Sequence, residues 1–348
     1  MEAIRKTVLV VGILIFSIES FSQNNDTIPG DGQESLSRAR RAAAVAAEKF
    51  AIARPLNIEF THTTPYNFTS EKGDNSLPES KVKGLSQAKI SANINFIKKK
   101  NWLLGTTLGY NYISVDADMT DPFSGAIKTV ENDFHYFHAG ANIAYFSTLF
   151  NKRTIYTSSI IVDGSEKHFE RVRGLLSGTM VLKANERTKM SAGIAVNIDP
   201  LSEIPIIPTF SYEHKFRNGL IVNLVLPKNM YLRKHVFDNG RISLGTEMDR
   251  TTFYLYNIDG TDQKYQYRQL DINSGLVYEH VVAKHFLITT KAGVKFTPSG
   301  RLFRKQDSYG DPVFKMTPDP AFYFNIGISF ISSIVSQGSD FSCLIPKD

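Results

Sequence analysis

Cysteine is almost missing from this chain. The one thiol, Cys343, sits in the C-terminal tail, which excludes a disulfide framework and any metal site built on cysteine. Tryptophan also occurs once, at Trp102, against 24 Phe and 15 Tyr. No stretch reaches the ~20 consecutive apolar residues of a membrane helix. Charge of one sign is not gathered anywhere. The net charge is +6, but lysine and arginine are spread along the chain with no basic stripe interleaved with aromatics, which argues against a nucleic-acid partner. Phosphate-cradling glycine motifs are lacking too, because glycines recur singly. The carboxylates Asp116, Asp118 and Asp121 do not have the ligand spacing or central glycine of a calcium loop. No cofactor and no metal are expected.

What is present begins with an ordered N-terminus. Arg5 and Lys6 precede an apolar run over residues 8–18, and small residues Ser20 and Ser22 precede Gln23. That order is a secretory signal over residues 1–22, with cleavage after Ser22. Residues 23–54 read as a flexible leader followed by one helix. Residues 35–53 are rich in good helix formers, Asp31 with Glu34 resembles a capping box, and Pro55 stops the pattern. The helix's apolar face is mostly alanine, with Leu36, Val45 and Phe50, and is too thin to build a core alone. It belongs at the mouth of a larger body, or tucked inside it as a plug.

From residue 55 the period changes to two. Ile90, Ala92, Ile94 and Phe96 alternate with Lys89, Ser91, Asn93 and Asn95. Leu104, Leu108 and Tyr110 alternate with Gly105, Gly109 and Asn111; Ile194, Val196 and Ile198 with Gly193, Ala195 and Asn197; Phe322, Phe324, Ile326 and Ile328 with Tyr323, Asn325, Gly327 and Ser329. Apolar residues on one face and glycine or asparagine on the other are the pattern of a membrane β-barrel. The fold class expected is therefore all-β: a closed antiparallel transmembrane β-barrel over residues 55–333, preceded by a short helix and followed by a tail over 334–348.

Turn signals place strands near 57–66, 85–97, 101–116, 134–149, 153–163, 171–184, 189–199, 206–216, 219–231, 240–248, 251–257, 265–279, 285–297 and 320–332. That makes 14, with 12 as the fallback; the pair 240–248 and 251–257 is short enough to be one kinked strand. Connections then alternate long and short, as they do between the outer and periplasmic ends of such barrels. Residues 121–128 and 301–311 are expected outside the cell, with 98–100, 185–188 and both mature termini in the periplasm. Trp102, Tyr145, Phe146, Phe150, Phe216, Tyr278 and Phe286 lie near the short turns, and Tyr110, Tyr112, Phe134 and Tyr231 toward the long loops, as two aromatic girdles would.

The segment Ala-Glu-Lys-Phe-Ala-Ile-Ala-Arg54 followed by Asn57-Ile-Glu-Phe, the step Pro65-Tyr-Asn-Phe68, and the stretch Gly240-Arg-Ile-Ser-Leu-Gly-Thr-Glu247 with Thr252-Phe-Tyr-Leu-Tyr256 resemble an uncharacterised outer-membrane β-barrel family of Gram-negative bacteria, a domain of unknown function. The resemblance covers about residues 34–332 and implies a fold and a location. It brings no catalytic residues, so none are assigned.

Nucleophilic chemistry finds little support. His135 and His138 are three apart on one strand and face opposite sides. His62, His168 and His235 fall at strand ends or loops, and no His-x-Ser motif occurs. The inward charges are more informative. By alternation Arg241, Glu247, Asp249, Asp271, Asn273, Glu279, Lys291 and Lys295 line the lumen, because a lysine or arginine facing lipid at the midplane costs about 2–4 kcal/mol. A turn centred near Val282 sets Asn273 opposite Lys291, with Asp271 one residue further along. The function expected is a porin-like channel for small solutes. A structural or surface-interaction barrel without an open pore is the alternative, and a lipid-modifying enzyme a third. Outer-membrane lipid and lipopolysaccharide are the expected surroundings and, for a channel, a small solute.

Overall fold

The computed structural model describes residues 43–331, apart from positions 44, 100, 121–123, 200, 203, 238, 259–261, 284, 306 and 308. The expected signal segment, the start of the leader and the C-terminal tail lie outside the described residues.

A helical stretch over residues 45–49 and a 3₁₀ turn, Ala51–Ala53, lead into sixteen strands. They are β1 (Leu56–Thr63), β2 (Tyr66–Lys72), β3 (Asn75–Lys98), β4 (Trp102–Thr120), β5 (Ile127–Leu149), β6 (Lys152–Gly164), β7 (Phe169–Ala184) and β8 (Thr188–Ile198). Then come β9 (Ile206–Lys215), β10 (Leu220–Leu226), β11 (Asn229–Val236), β12 (Gly240–Tyr256), β13 (Lys264–Val282), β14 (Phe286–Arg304), β15 (Phe314–Pro318) and β16 (Ala321–Phe330). Neighbours in sequence pair antiparallel from β3 to β14. β1 closes the ring by pairing with β3 on one side (Leu56↔Ala92) and with β16 on the other (Leu56↔Phe330).

Fourteen strands complete this ring. β2 and β15 sit above β1 and β16 and close it a second time, in the order β14–β15–β2–β3. Pro65 and Pro320 stand at the two interruptions, and proline has no N–H for a ladder. β1 with β2, and β15 with β16, thus each act as one long broken strand.

The count of 14 agrees with the sequence reading, but through two corrections that cancel. Residues 219–231 are not one strand, since the chain reverses at Pro227 and Lys228 between β10 and β11. Residues 240–248 and 251–257 are not two, since β12 runs through 247–250 and pairs with β13 from Gly240↔His280 to Tyr256↔Lys264. The polar run Thr-Glu-Met-Asp-Arg250 reads as a turn only if strands must be apolar, whereas here Glu247 and Asp249 face a polar interior. Residues 232–240 accordingly form β11 and a short turn, not a long loop. The other long connections are mostly strand: β3, β5 and β14 carry on well past their predicted ends.

The tight β2–β3 and β10–β11 turns lie at one end of the barrel. The short connections after β3, β5, β7, β9, β11 and β13 lie at the other, which holds the start of β1 and the end of β16 and is the lower end below. Phe150 and Asn151 make a two-residue turn there with φ of 51° and 57°, the paired positive values of a tight hairpin. The wall is uneven. β3 and β5 have 24 and 23 residues, but β10 and β11 have 7 and 8. Above the low stretch, β12 leans across the lumen. Phe253 stacks on Phe134 of β5 at 4.2 Å, although β5 and β12 stand on opposite sides of the ring. An apolar core fills the space there, with Phe68, Val82, Leu85, Ile113 and Ala117 buried against Phe134, Phe253 and Met316, and Tyr265, Tyr267 and Leu302 beside them. Phe134 and Tyr231, expected in an outer girdle, point inward.

Candidate functional site: the lumen

The helical segment enters the lower lumen and is held by charge. Arg54 donates to Glu279 Oε1 at 3.2 Å, to Ser329 Oγ at 2.9 Å and to the Ala47 carbonyl at 3.1 Å. Arg241 donates to the other oxygen of Glu279 at 2.7 Å and reaches Glu48 at 3.5 Å. On the far side Lys49 donates to Ser211 at 3.2 Å and lies 3.8 Å from Glu213. Of the two placements open to the helix, its described end lies inside the barrel, spanning from β9 to β13.

Above it, Lys291 meets Glu247 at 2.6 Å and Glu59 at 3.9 Å, and Tyr231 donates to Glu247 at 2.9 Å. To reach β12 from β14, Lys291 must cross β13, where the inward position between Asn273 and Val277 is Gly275. A Cβ on Gly275 would stand 2.2 Å from the Ala292 carbonyl and 2.7 Å from Gly293 Cα, so only glycine allows β13 and β14 to approach this closely. Lys89 pairs with Asp249. Asp271 accepts from Gln269 at 2.7 Å and Thr297 at 2.6 Å, with Lys295 at 3.5 Å.

The eight charged or polar candidates thus face the interior, but not in the predicted register. Lys291 stands opposite Val277, and Asn273 opposite Lys295 and Glu247. The shift from prediction is four residues, an even number, so the faces are kept and the partners change. A bulge between Leu270 and Ile272 then lets Asp271 meet Lys295.

A third cluster, where the walls meet, escaped the sequence reading. Asp163, 1% exposed, accepts from Arg171 at 3.3 Å and Tyr254, with Arg173 Nε at 3.1 Å. Asp199, in the connection between β8 and β9, binds Arg171 at 3.1 Å and Arg268 at 2.5 Å. Burial alone would raise its carboxyl, but Arg268 and Arg171 hold it below the usual carboxylate range. Glu170 joins Lys305 at 2.8 Å, Lys264 at 3.1 Å and Tyr256 at 3.2 Å. Lys89 already falls on the polar face by alternation; Glu59 and Arg171 also alternate with outward apolar residues, and the same signal could have found them. Asp199 lies in a connection, where alternation says nothing.

Between these clusters lies a cavity of about 380 Å³. Its described lining carries eight Lys or Arg side chains, including Arg173, Lys228, Arg250 and Arg268, against the three carboxylates Glu59, Glu247 and Asp249. No cluster of three or more potential metal ligands occurs among the described residues. His138 lies over Gly109 in the lumen wall, whereas His135 bonds Tyr110 at 2.9 Å. One His–Ser contact that sequence did not reveal is His62 Nδ1 to Ser86 Oγ, at 3.0 Å on the exposed outer face. Activating a serine requires a base that is itself oriented by a third group, and among the described residues no third group bonds His62.

The family described as a domain of unknown function, DUF6268, matches residues 55–331. No curated protein matches. Among solved structures the chain is similar to the COG4313 outer membrane channel from Pseudomonas putida F1, at 8% identity and a TM-score of 0.35, over 79% of this chain and 94% of that one. It is similar also to the transport unit of the autotransporter AIDA-I from Escherichia coli, at 11% identity and 0.31, over 86% and 99%. The Escherichia coli outer membrane phospholipase A gives 8% and 0.30, over 78% and 97%.

Proposed function

The chain belongs to the DUF6268 family, which carries no assigned activity, and we propose that it is an outer-membrane barrel providing a gated path for small solutes. A membrane setting is supported by the outer face. Ile160, Ile194, Leu244 and Phe322 are 55–68% exposed on it, which in water would be an unprotected apolar surface. Export through residues 1–22 is part of this reading, and so are lower turns in the periplasm and lipid and lipopolysaccharide around the outer end.

The single observation behind the channel is the basic cavity. A barrel that needed only to be stable gains little from desolvating so many cations, whereas wall charges set the potential that a passing ion meets. In the described state the path is shut below by the segment ending at Arg54 and above by the contact of β12 with β5. The expected result in planar bilayers is a rarely open wild type and frequent, anion-favouring steps once residues 43–54 are deleted. A deletion variant that folds yet stays silent would overturn the channel. That outcome favours a second reading, a structural barrel without a pore, which the ion pairs joining opposite walls support.

A further inference from the structure

The low wall raises a question of height. β10 has 7 residues; at ~3.3 Å per residue and a tilt of ~40° it rises only about 18 Å, while the apolar band of such barrels is about 25 Å tall. The wall between β9 and β12 therefore ends within the bilayer, in the leaflet at the long-loop end. β12 beyond Met248 pairs with β13 alone, so among the described residues no further strand closes the gap over the β10–β11 turn.

The 380 Å³ cavity lies behind this gap, with Lys228, Asn229, Arg250 and Thr252 in its lining. Lys228 donates to the Met248 carbonyl on the open edge of β12. Neither Lys228 nor Arg250 is paired with a carboxylate among the described residues. Deeper in stand Arg173 and Arg268, clamped by Asp163 and Asp199. Just below the gap, facing outward, are Leu226 and Met230, and Ile206 flanks it on the edge of β9, all 38–60% exposed. Apolar surface at acyl-chain depth thus adjoins unpaired cations that lead inward.

We propose that the gap above β10 and β11 is a lateral opening, through which the cavity receives the anionic head of a single-chain amphiphile, a phosphate or carboxylate, from the bilayer. The chain of the amphiphile lies along Ile206, Leu226 and Met230, and its head reaches Lys228 and Arg250. This rests on the solute-channel reading and names its solute. The head of a lipid suits the site better than a free anion, because the cations sit at an edge in contact with lipid rather than at either mouth.

Native mass spectrometry of the refolded mature chain tests it, with dodecyl phosphate, dodecanol and inorganic phosphate as probes. Dodecyl phosphate should be retained at least tenfold more strongly than dodecanol. Lys228→Gln with Arg250→Gln should remove that preference, and millimolar inorganic phosphate should not displace the amphiphile. Equal retention of dodecanol by the wild type, or an unchanged double variant, would overturn the proposal. Displacement by inorganic phosphate would overturn it in favour of a soluble anion. Binding is read without current, so a silent bilayer beside intact binding counts against the channel alone, and a conducting barrel that ignores dodecyl phosphate counts against this inference alone.

Discussion

The two halves of this barrel keep their interiors filled in opposite ways. The upper half brings β12 to β14 against β3 to β5 around Phe68, Ile113, Phe134 and Phe253. The lower half is wide, and is spanned by Arg54, Arg241, Glu279, Lys291 and Glu247 with a helical segment between them. One strand serves both: β12 carries Arg241 and Glu247 low down and Phe253 high up. The difference teaches that one alternating pattern can specify a packed core or a charged chamber, according to whether the facing wall is near or far.

Substitutions can break this comparison. The largest effect is expected for Phe253→Ala, because deleting a packed aromatic ring costs about 3–5 kcal/mol. The urea midpoint of the folded barrel should fall accordingly, and a negligible change would mean that the upper half is not a packed core. Glu279→Gln in the lower half should cost less, about 1–3 kcal/mol, while raising the frequency of channel opening, since Arg54 loses its carboxylate. Equal losses for the two variants would erase the distinction between the halves.

Smaller effects sharpen it. Asp199 has a depressed folded-state carboxyl, so its stabilisation is complete above the unfolded carboxylate pKa of about 3.9 and is lost as pH falls through the lower, folded value. The wild-type urea midpoint should decline on acidification below about pH 4, and Asp199→Asn should show a shallower decline. An identical acid limb in both would remove Asp199 from the junction of the halves. The smallest change is expected for Asp118→Asn, whose partner Lys83 at 2.9 Å is exposed with it; the unfolding midpoint should stay where it is. A clear drop would show that strand extensions above the core are structured by charge.

Much of the lower half was legible in the sequence. The period of two gave the inward face, because a polar residue facing lipid is costly and one facing the lumen is not. That is why Arg241, Glu247 and Lys291 fall inside despite a register error of four. The upper half was much harder to read. Its strands turn both faces toward protein, so Phe253 and Tyr254 are both inside and alternation loses its meaning. The β10–β11 reversal rests on Pro227 and Lys228 with Asn229 beside them, a signal set inside an alternating apolar run that reads as one strand. The loose end near Asp163 and Asp199 is assembled from strands far apart in sequence, which no local pattern encodes.

The seam where β1 meets β16 also dictates an order of assembly. Its eight rungs join residues 56–63 to residues 323–330, and Asn57 accepts from Ser329 across 272 positions of sequence. Arg54, just ahead of β1, reaches the same Ser329. Until the last strand has been made and delivered, β1 and β14 remain two unpaired edges, each able to capture any passing strand. Closure is thus the final event and brings the charged clasp at Arg54 together in the same step, so a chain cut short before residue 323 would be left as an open, sticky sheet for the cell to clear.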